Sequence, residues 1–497
     1  MELKKRKLNK SLEENLNVMR ADFDGSADFT VREMDIKGVA TAVITIEGMV
    51  NKEALAISVI NPIVSEDFSF DGKEDFFYKV KDGILSISEV AETEYIEEVY
   101  NYIMSGFAVL AVDGTDKMLA IGVQGFSFRS VSEPENEVVQ RGSREGFVEP
   151  LRINMTLIRR RLKNPALMFE TMTVGKLSRT EICLCYIRDI VSPKMLEELK
   201  RTLENIDLDT VLASGYISPY IKRKRDFSLF SGVGTTERPD ALCGKINEGR
   251  IAILIDGTPV ALIVPFLFVE NFQTVEDYSD RPFYATFTRW LKYLSFFIAV
   301  LTPGIYVALA TFNPELFTWQ LLSKIAKSVS STPFPLMLEV LIIHFIYEIM
   351  REAGLRLPKP LGHAVSIVGA LVIGETAVNA GIIGSPTLMV VALTAISSYV
   401  IPDLYAPVAI LRLLLIIAGG VAGVWGISLV VCAVLINICG KTTLGVPYTA
   451  PLSPFSSFAM RDVLIRAGWQ TLGKKRNRVQ DLYGSEVEDR QDAKTIQ

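Results

Sequence analysis

The chain has 497 residues, 49% of them hydrophobic and 22% charged, with a formal net charge of −5 and a mean hydropathy of +0.28. That length corresponds to about three domains, and the slightly acidic balance argues against a nucleic-acid binder. Five scattered cysteines are too few for a disulfide framework, and two histidines, both in the apolar second half, exclude histidine-centred catalysis from the first.

Residues 1–30 are polar and mixed in charge, with no periodicity that marks a helix or strand. MELKKRKLNK is basic but leads into no apolar core, so it is not read as a secretory signal, and the charged half is expected in the cytosol. From Gly38, VATAVITIEGMVNKEAL reads as strand then helix, and an acidic helix is expected over about Val90–Met104. GFAVLAVDGTDKMLAIGV then sets two apolar runs around Asp113-Gly114, a hairpin pattern. A Gly-, Ser- and Pro-rich linker (126–149) follows, and INMTLIRRRL begins a helix.

The same order then returns. EICLCYIRDIVSPKMLEELKRTL gives strand then helix, with Pro193 in the first turn and Cys183 and Cys185 as a buried pair on one strand face. GRIAILIDGTPVALIVP repeats the hairpin around Asp256-Gly257. Asp256 lies 143 residues after Asp113, and Asp189-Ile190-Val191 lies 141 after Gly48-Met49-Val50. Two nearly equal offsets imply a duplicated α/β unit, residues 31–125 and 150–268. The duplication decides an ambiguity. Ile251–Val269 is apolar enough for a membrane helix, but its counterpart Phe107–Val123 carries Asp113, Asp116 and Lys117, so both are read as paired strands. Arg159, Arg160 and Arg161, and the run Lys222–Arg225, are read as solvated surface.

From about Trp290 to Cys439 charges become scarce, as expected of an α-helical multi-pass membrane domain (285–440) ahead of a basic cytosolic tail (441–497). Segments are expected near Trp290–Ala310, Pro335–Met350, Leu361–Ala380, Thr387–Ile401 and Val408–Ile438, with the amphipathic stretch 316–335 at an interface or in a loop. The turn REAGLRLPKP and the tail both carry basic residues and both belong inside. Two inside ends need an even number of spans. Five segments conflict with that, unless one is re-entrant or the last is an interfacial helix plus a span.

Residues 335–379 carry acids where hydrocarbon makes charge costly: Glu339 and Glu348 in one segment, Glu375 in the next, with His344 and Asn379 adding polarity. Helical spacing gathers Ser366, Ala370, Gly374 and Ala377 into a small-residue stripe suited to close helix packing. Ala364, Val368, Leu371, Glu375 and Val378 form a second stripe of apolar residues and one acid, as a pore-lining face would. Apolar rings close a pore by dewetting and an acidic ring favours cations. Glu375 paired with a cation, or bonded to a neighbouring helix, accounts for the same pattern. His344 and Glu348, four apart, share a face; a structural hydrogen bond is favoured there over a metal site, and Glu339 faces another helix. With no nucleophile–base pair, metal cluster or phosphate loop, neither an enzyme nor a cofactor is expected.

QGFSFRSVSEPENEVVQRGSREGFVE, INMTLIRRRL, TERPD, GRIAILIDGTPVALIVP, PFPLMLEVLIIHFIYEIMREAGLRLPKPLG and SIVGALVIGETAV, spread over about residues 30–460, resemble the A subunits of GerA-type spore germinant receptors. The resemblance implies a protein of the spore's inner membrane, beside a transporter-like B subunit that binds the nutrient and a lipoprotein C subunit. It further implies a homo-oligomer, a pentamer, that opens to monovalent cations. Its pore segment corresponds to Gly362–Asn379, with Leu371 at the constriction. The alternatives are a non-conducting scaffold or signalling subunit, and a sporulation-locus paralogue that amplifies germination.

Overall fold

The computed structural model describes residues 5–125, 133–134, 136–139, 141–221, 227–357, 372, 374–473 and 478–487. Its first half holds two five-stranded sheets. The first is built from β1 (Phe29–Ile36), β2 (Val39–Ile46), β3 (Val90–Thr93), β4 (Ala108–Val112) and β5 (Met118–Ile121), in the order β1-β2-β4-β5-β3. The second, from β6 (Leu167–Val174), β7 (Thr180–Ile187), β8 (Gly234–Thr236), β9 (Ile251–Ile255) and β10 (Ala261–Val264), has the equivalent order β6-β7-β9-β10-β8. Every pairing is antiparallel.

Helices cover both faces of each sheet, so the inner strands are buried on both sides. Over the first sheet, Leu12, Leu16 and Met19 of α1 (Leu12–Asp22) join Ile96, Val99 and Ile103 of α2 (Ile96–Ile103). Val59, Ile63, Phe76 and Phe77 of the helical connection over 52–84 fill the other face. The second sheet lies between α3 (Leu151–Arg161) and α5 (Pro239–Ile246) on one side and α4 (Pro193–Glu204) on the other. Two-sided burial explains why β9 and β10 read as one apolar run while forming a hairpin. Cys183 and Cys185 lie in this core beside Cys243.

The two units share individual hydrogen bonds. Asp113 Oδ1 accepts from Leu12 N at 3.1 Å, and Asp256 Oδ1 accepts from Leu151 N at 3.0 Å. Asn15 closes a loop onto the backbone of Asn9, and Asn154 closes the same loop onto Val148. α1 is therefore the counterpart of α3, and the repeated unit begins ahead of residue 31. The inward stripe of α1 is only Leu12, Asn15, Leu16 and Met19, too narrow to stand out among charged neighbours.

Other expectations need correction. Val90–Thr93 is an edge strand and the helix starts at Ile96, since Lys81 and Lys117 hold Glu92 beside β5. Arg159 is fully buried rather than solvated: its guanidinium grips Asp28 through two 2.8 Å hydrogen bonds and reaches Ser26 Oγ at 2.9 Å, joining the two units. Arg160 and Arg161 face Glu145. The run Lys222–Arg225 lies outside the described residues. The described part of the linker is tied down as well. Glu137 accepts from Thr236 Oγ1 and Glu237 N, while Arg238 forks onto Asp240 and donates to the carbonyls of Glu137 and Ser143.

The second half is helical: α6 (Pro282–Phe312), α7 (Trp319–Ser330), α8 (Leu336–Arg356), a helical stretch at 374–379, α9 (Ser385–Tyr399) and α10 (Tyr405–Cys439). Two stretches, Pro282–Phe312 and Pro402–Cys439, are long and apolar enough to cross a bilayer. α8 runs past Met350 through REAGLR, sustained by the Glu352–Arg356 pair, so that part of the expected turn is helical, and 358–360 lie outside the described residues. α10 is broken at Gly423 (φ 61°, ψ −146°). A methyl group on Gly426 would collide with Ala418 O, and one on Gly419 would touch Ile427. Residues eight apart in a straight helix are separated by about 12 Å, so the chain doubles back here. Residues 405–422 and 424–439 are two antiparallel helices whose far ends, Val408 and Ile438, share one cluster with Tyr448.

The chain then rejoins the second α/β unit, so the stretch expected as a basic tail is packed onto that unit as far as residue 487. Leu444, Val446, Val463 and Val479 enter its core, and Gln480 Nε2 donates to Ile190 O at 2.6 Å. At the seam, Arg289 of α6 is wholly buried between Asp277 and Asp462. The sequence conceals this because the apolar anchors of 441–487 follow no regular period.

Candidate functional site

α8 presents its polar side chains to three different neighbours. The buried Glu339 carboxylate accepts from Gly384 N at 2.8 Å and from Thr332 Oγ1 at 3.2 Å. Gly384 is the N-cap of α9, where an acid complements unpaired N–H groups and the helix dipole. Glu348 receives Arg412 Nη2 at 2.6 Å, Tyr405 OH at 2.7 and 2.8 Å, and Arg351 Nε at 3.3 Å. Arg412 is almost wholly buried and also reaches Ser398 Oγ at 3.3 Å, so the ion pair binds α8, α9 and α10 together.

His344 is fully buried, and neither ring nitrogen has a hydrogen-bond partner among the described residues. The expected bond to Glu348 is not formed, because Arg412, Tyr405 and Arg351 occupy that carboxylate. Sequence reasoning gave Arg412 no role. A lone cation in an apolar run requires a buried acceptor, and that signal pointed to Glu348.

Of the two stripes on the next helix, Ala364, Ser366, Val368, Ala370 and Leu371 lie outside the described residues. Gly374 is buried against Leu388 of α9, and Ala377 packs with Ile343, Ile383 and Val391. Glu375 and Asn379 are exposed, and Val378 is half-buried. Small residues thus turn inward while the acid turns away from the bundle. No group of three or more metal-ligating side chains occurs among the described residues.

A duplicated α/β unit that carries a helical bundle braced by the Arg412–Glu348 ion pair, and that takes up residues 441–487 again, defines a two-part membrane protein. Residues 17–478 match the family described as Bacillus/Clostridium GerA spore germination protein. The chain is 40% identical over 467 residues to spore germination protein KA of Bacillus subtilis, covering 93% of this chain and 85% of that one. It is 36% identical to spore germination protein GerLA of Bacillus cereus, covering 90% and 91%. The crystal structure of the N-terminal domain of the A subunit of the Bacillus megaterium spore germinant receptor GerK3 aligns with 54% of this chain and 99% of its own, at 29% identity and a TM-score of 0.42. The chain belongs to the GerA family of spore germination proteins.

Proposed function

We propose that the chain is the A subunit of a nutrient germinant receptor, and that its copies form a ring, a pentamer, with a closable path for monovalent cations along its axis. One observation carries this reading: Glu375 faces away from its own bundle while Gly374 and Ala377, on the same helix, face into it. An acid on the outer face of a membrane helix is costly unless water or another chain meets it. Copies that turn the 364–378 stripe toward a shared axis give Glu375 water and leave Leu371 to close the path by dewetting.

The membrane arrangement fits. The reversal at Gly423 makes the last segment two passes of about 18 and 16 residues, each near 25 Å at 1.5 Å per residue. Six passes satisfy the even number that two cytosolic ends require, in the inner membrane of the spore. A transporter-like B subunit and a lipoprotein C subunit complete the assembly, and the chain performs no catalysis of its own.

Conductance of the full chain reconstituted in planar bilayers tests this. Leu371→Ala is expected to raise the closed-state leak, and Glu375→Gln to lower cation-over-anion preference severalfold. Reconstituted oligomers that pass no current would favour a scaffold or signalling subunit instead.

A further inference from the structure

The helix over 52–65 and its counterpart α4 align residue for residue: Val59 and Ile63 are buried against their sheet as Leu199 and Leu203 are, each 140 positions later. The outer face does not follow the repeat. α4 carries Glu197, Lys200 and Glu204 there, and Lys200 pairs with Glu170 at 2.7 Å. At the same three positions the first unit has Ile57, Ile60 and Val64, with Ile57 58% and Val64 55% exposed. Spacings of three and four residues put them on one face. The repeat shows that this helix packs on its sheet with charges at these positions, so the aliphatic side chains serve a surface and not the core.

A second apolar surface stands on the second unit. Leu177 N donates to Asp209 O at 2.7 Å, which brings Leu177 beside Leu212. Leu212, Tyr216 and Tyr220 follow at intervals of four, and all four side chains are exposed. The two surfaces face apart. Contacts between the units are reciprocal: Glu47 reaches Arg152 of α3 at 3.4 Å, and Arg188, 141 positions after Glu47, donates to Asp24 O just past α1 at 2.8 Å. α1 and α3 thus make the seam, on the sheet faces opposite those that hold Val59 and Ile63 and, in the second unit, Val211 and Ile217. A contact between two different surfaces of one chain runs head to tail and, where the rotation closes, gives a ring; a surface that meets itself gives a dimer. We propose that the Ile57–Ile60–Val64 face of one copy packs on the Leu177–Leu212–Tyr216 surface of the next. Charge agrees: Glu53 and Glu66 bound the first surface and Arg179 the second, none of them ion-paired among the described residues. The proposal rests on the reading of the chain as a ring-forming subunit, and it adds the surface that joins neighbouring copies outside the bundle.

The full chain with Cys432→Ser and Cys439→Ser, which removes its exposed thiols, is reconstituted in lipid and treated with a short bismaleimide. Ile57→Cys combined with Tyr216→Cys is expected to give a ladder of cross-linked chains, and each substitution alone to give none. Ile57→Glu with Ile60→Lys and Val64→Glu, the residues that α4 carries, should raise the concentration of half-assembly in detergent at least about tenfold, with an unchanged thermal midpoint. Unchanged assembly of that variant, absence of the ladder, or cross-linked dimers from Ile57→Cys alone would overturn the surface. So would shielding of Ile57→Cys by lipid or by a co-purified polypeptide in place of a second copy. If the triple variant fails to fold, the ladder decides. A ring that assembles without the ladder defeats only this surface, whereas an unaltered chain that stays monomeric defeats the ring reading and this surface with it.

Discussion

Arg159, which joins the two α/β units through Asp28, and Glu270, held by Lys245 and Arg250 in the second unit, show what single buried charges contribute. Truncating one member of a buried, hydrogen-bonded pair leaves the other uncompensated and costs about 3–5 kcal/mol. Asp28→Ala should therefore lower the thermal midpoint of the purified full chain by several degrees, while Asp28→Leu with Arg159→Met should recover most of the loss. A double variant no more stable than the single one would mean that Asp28 acts through its contacts within the first unit. Glu270 predicts a pH dependence. Burial alone would raise its pKa, but Arg250 and then Lys245 outweigh it and hold the carboxyl below its ordinary value. Its stabilising contribution is thus complete above the unfolded value of about 4.3 and disappears as pH falls through the lower folded value. The midpoint of Glu270→Gln should fall less steeply below about pH 5 than that of the unaltered chain; parallel slopes would remove Glu270 from the acid response.

Elements were legible in the sequence where chemistry demanded a particular residue. The Asp-Gly turns at 113–114 and 256–257 are readable because each aspartate must cap the helix that opens its unit, and each glycine has a positive φ. No such demand marks α1, whose inward stripe is four residues wide, or the irregular anchors of 441–487. Gly423 lay hidden among glycines of an apolar run, because a positive φ leaves no trace in hydropathy. Its ψ near −146° falls where only glycine sits comfortably, so a side chain there costs about 1–3 kcal/mol. Gly423→Ala should lower the thermal midpoint in detergent. Gly244→Ala, in α5 with open space around it, should raise stability by about 0.5–1 kcal/mol. If Gly423→Ala were as well tolerated as Gly244→Ala, the reversal in α10 would not depend on that glycine. In the bundle, Glu348→Ala leaves the buried Arg412 guanidinium without its carboxylate and should cost about 3–5 kcal/mol, whereas Glu348→Gln keeps an acceptor for Arg412 and Tyr405 and should cost less.

At the scale of the whole molecule, the acids singled out in the sequence serve different ends. Glu339 caps a helix and Glu348 neutralises Arg412, both inside the protomer. Glu375 has its side chain on the outside. Spacing alone separated the small-residue stripe from the acidic one, but it could not say which acids have partners, because those partners lie 45 to 64 residues away in the chain. The α/β half meets the bundle through Arg289, Asp277 and Asp462, so a rearrangement of the sheets would reach α6 at its base. The most direct test of the central claim is the position of residues 371 and 375 in the assembled oligomer, measured by single-particle structure determination of the full chain in membrane discs. The account predicts that both side chains point at the symmetry axis, with Gly374 and Ala377 turned into each protomer; Leu371 and Glu375 found against lipid, or enclosed within one protomer, would contradict it.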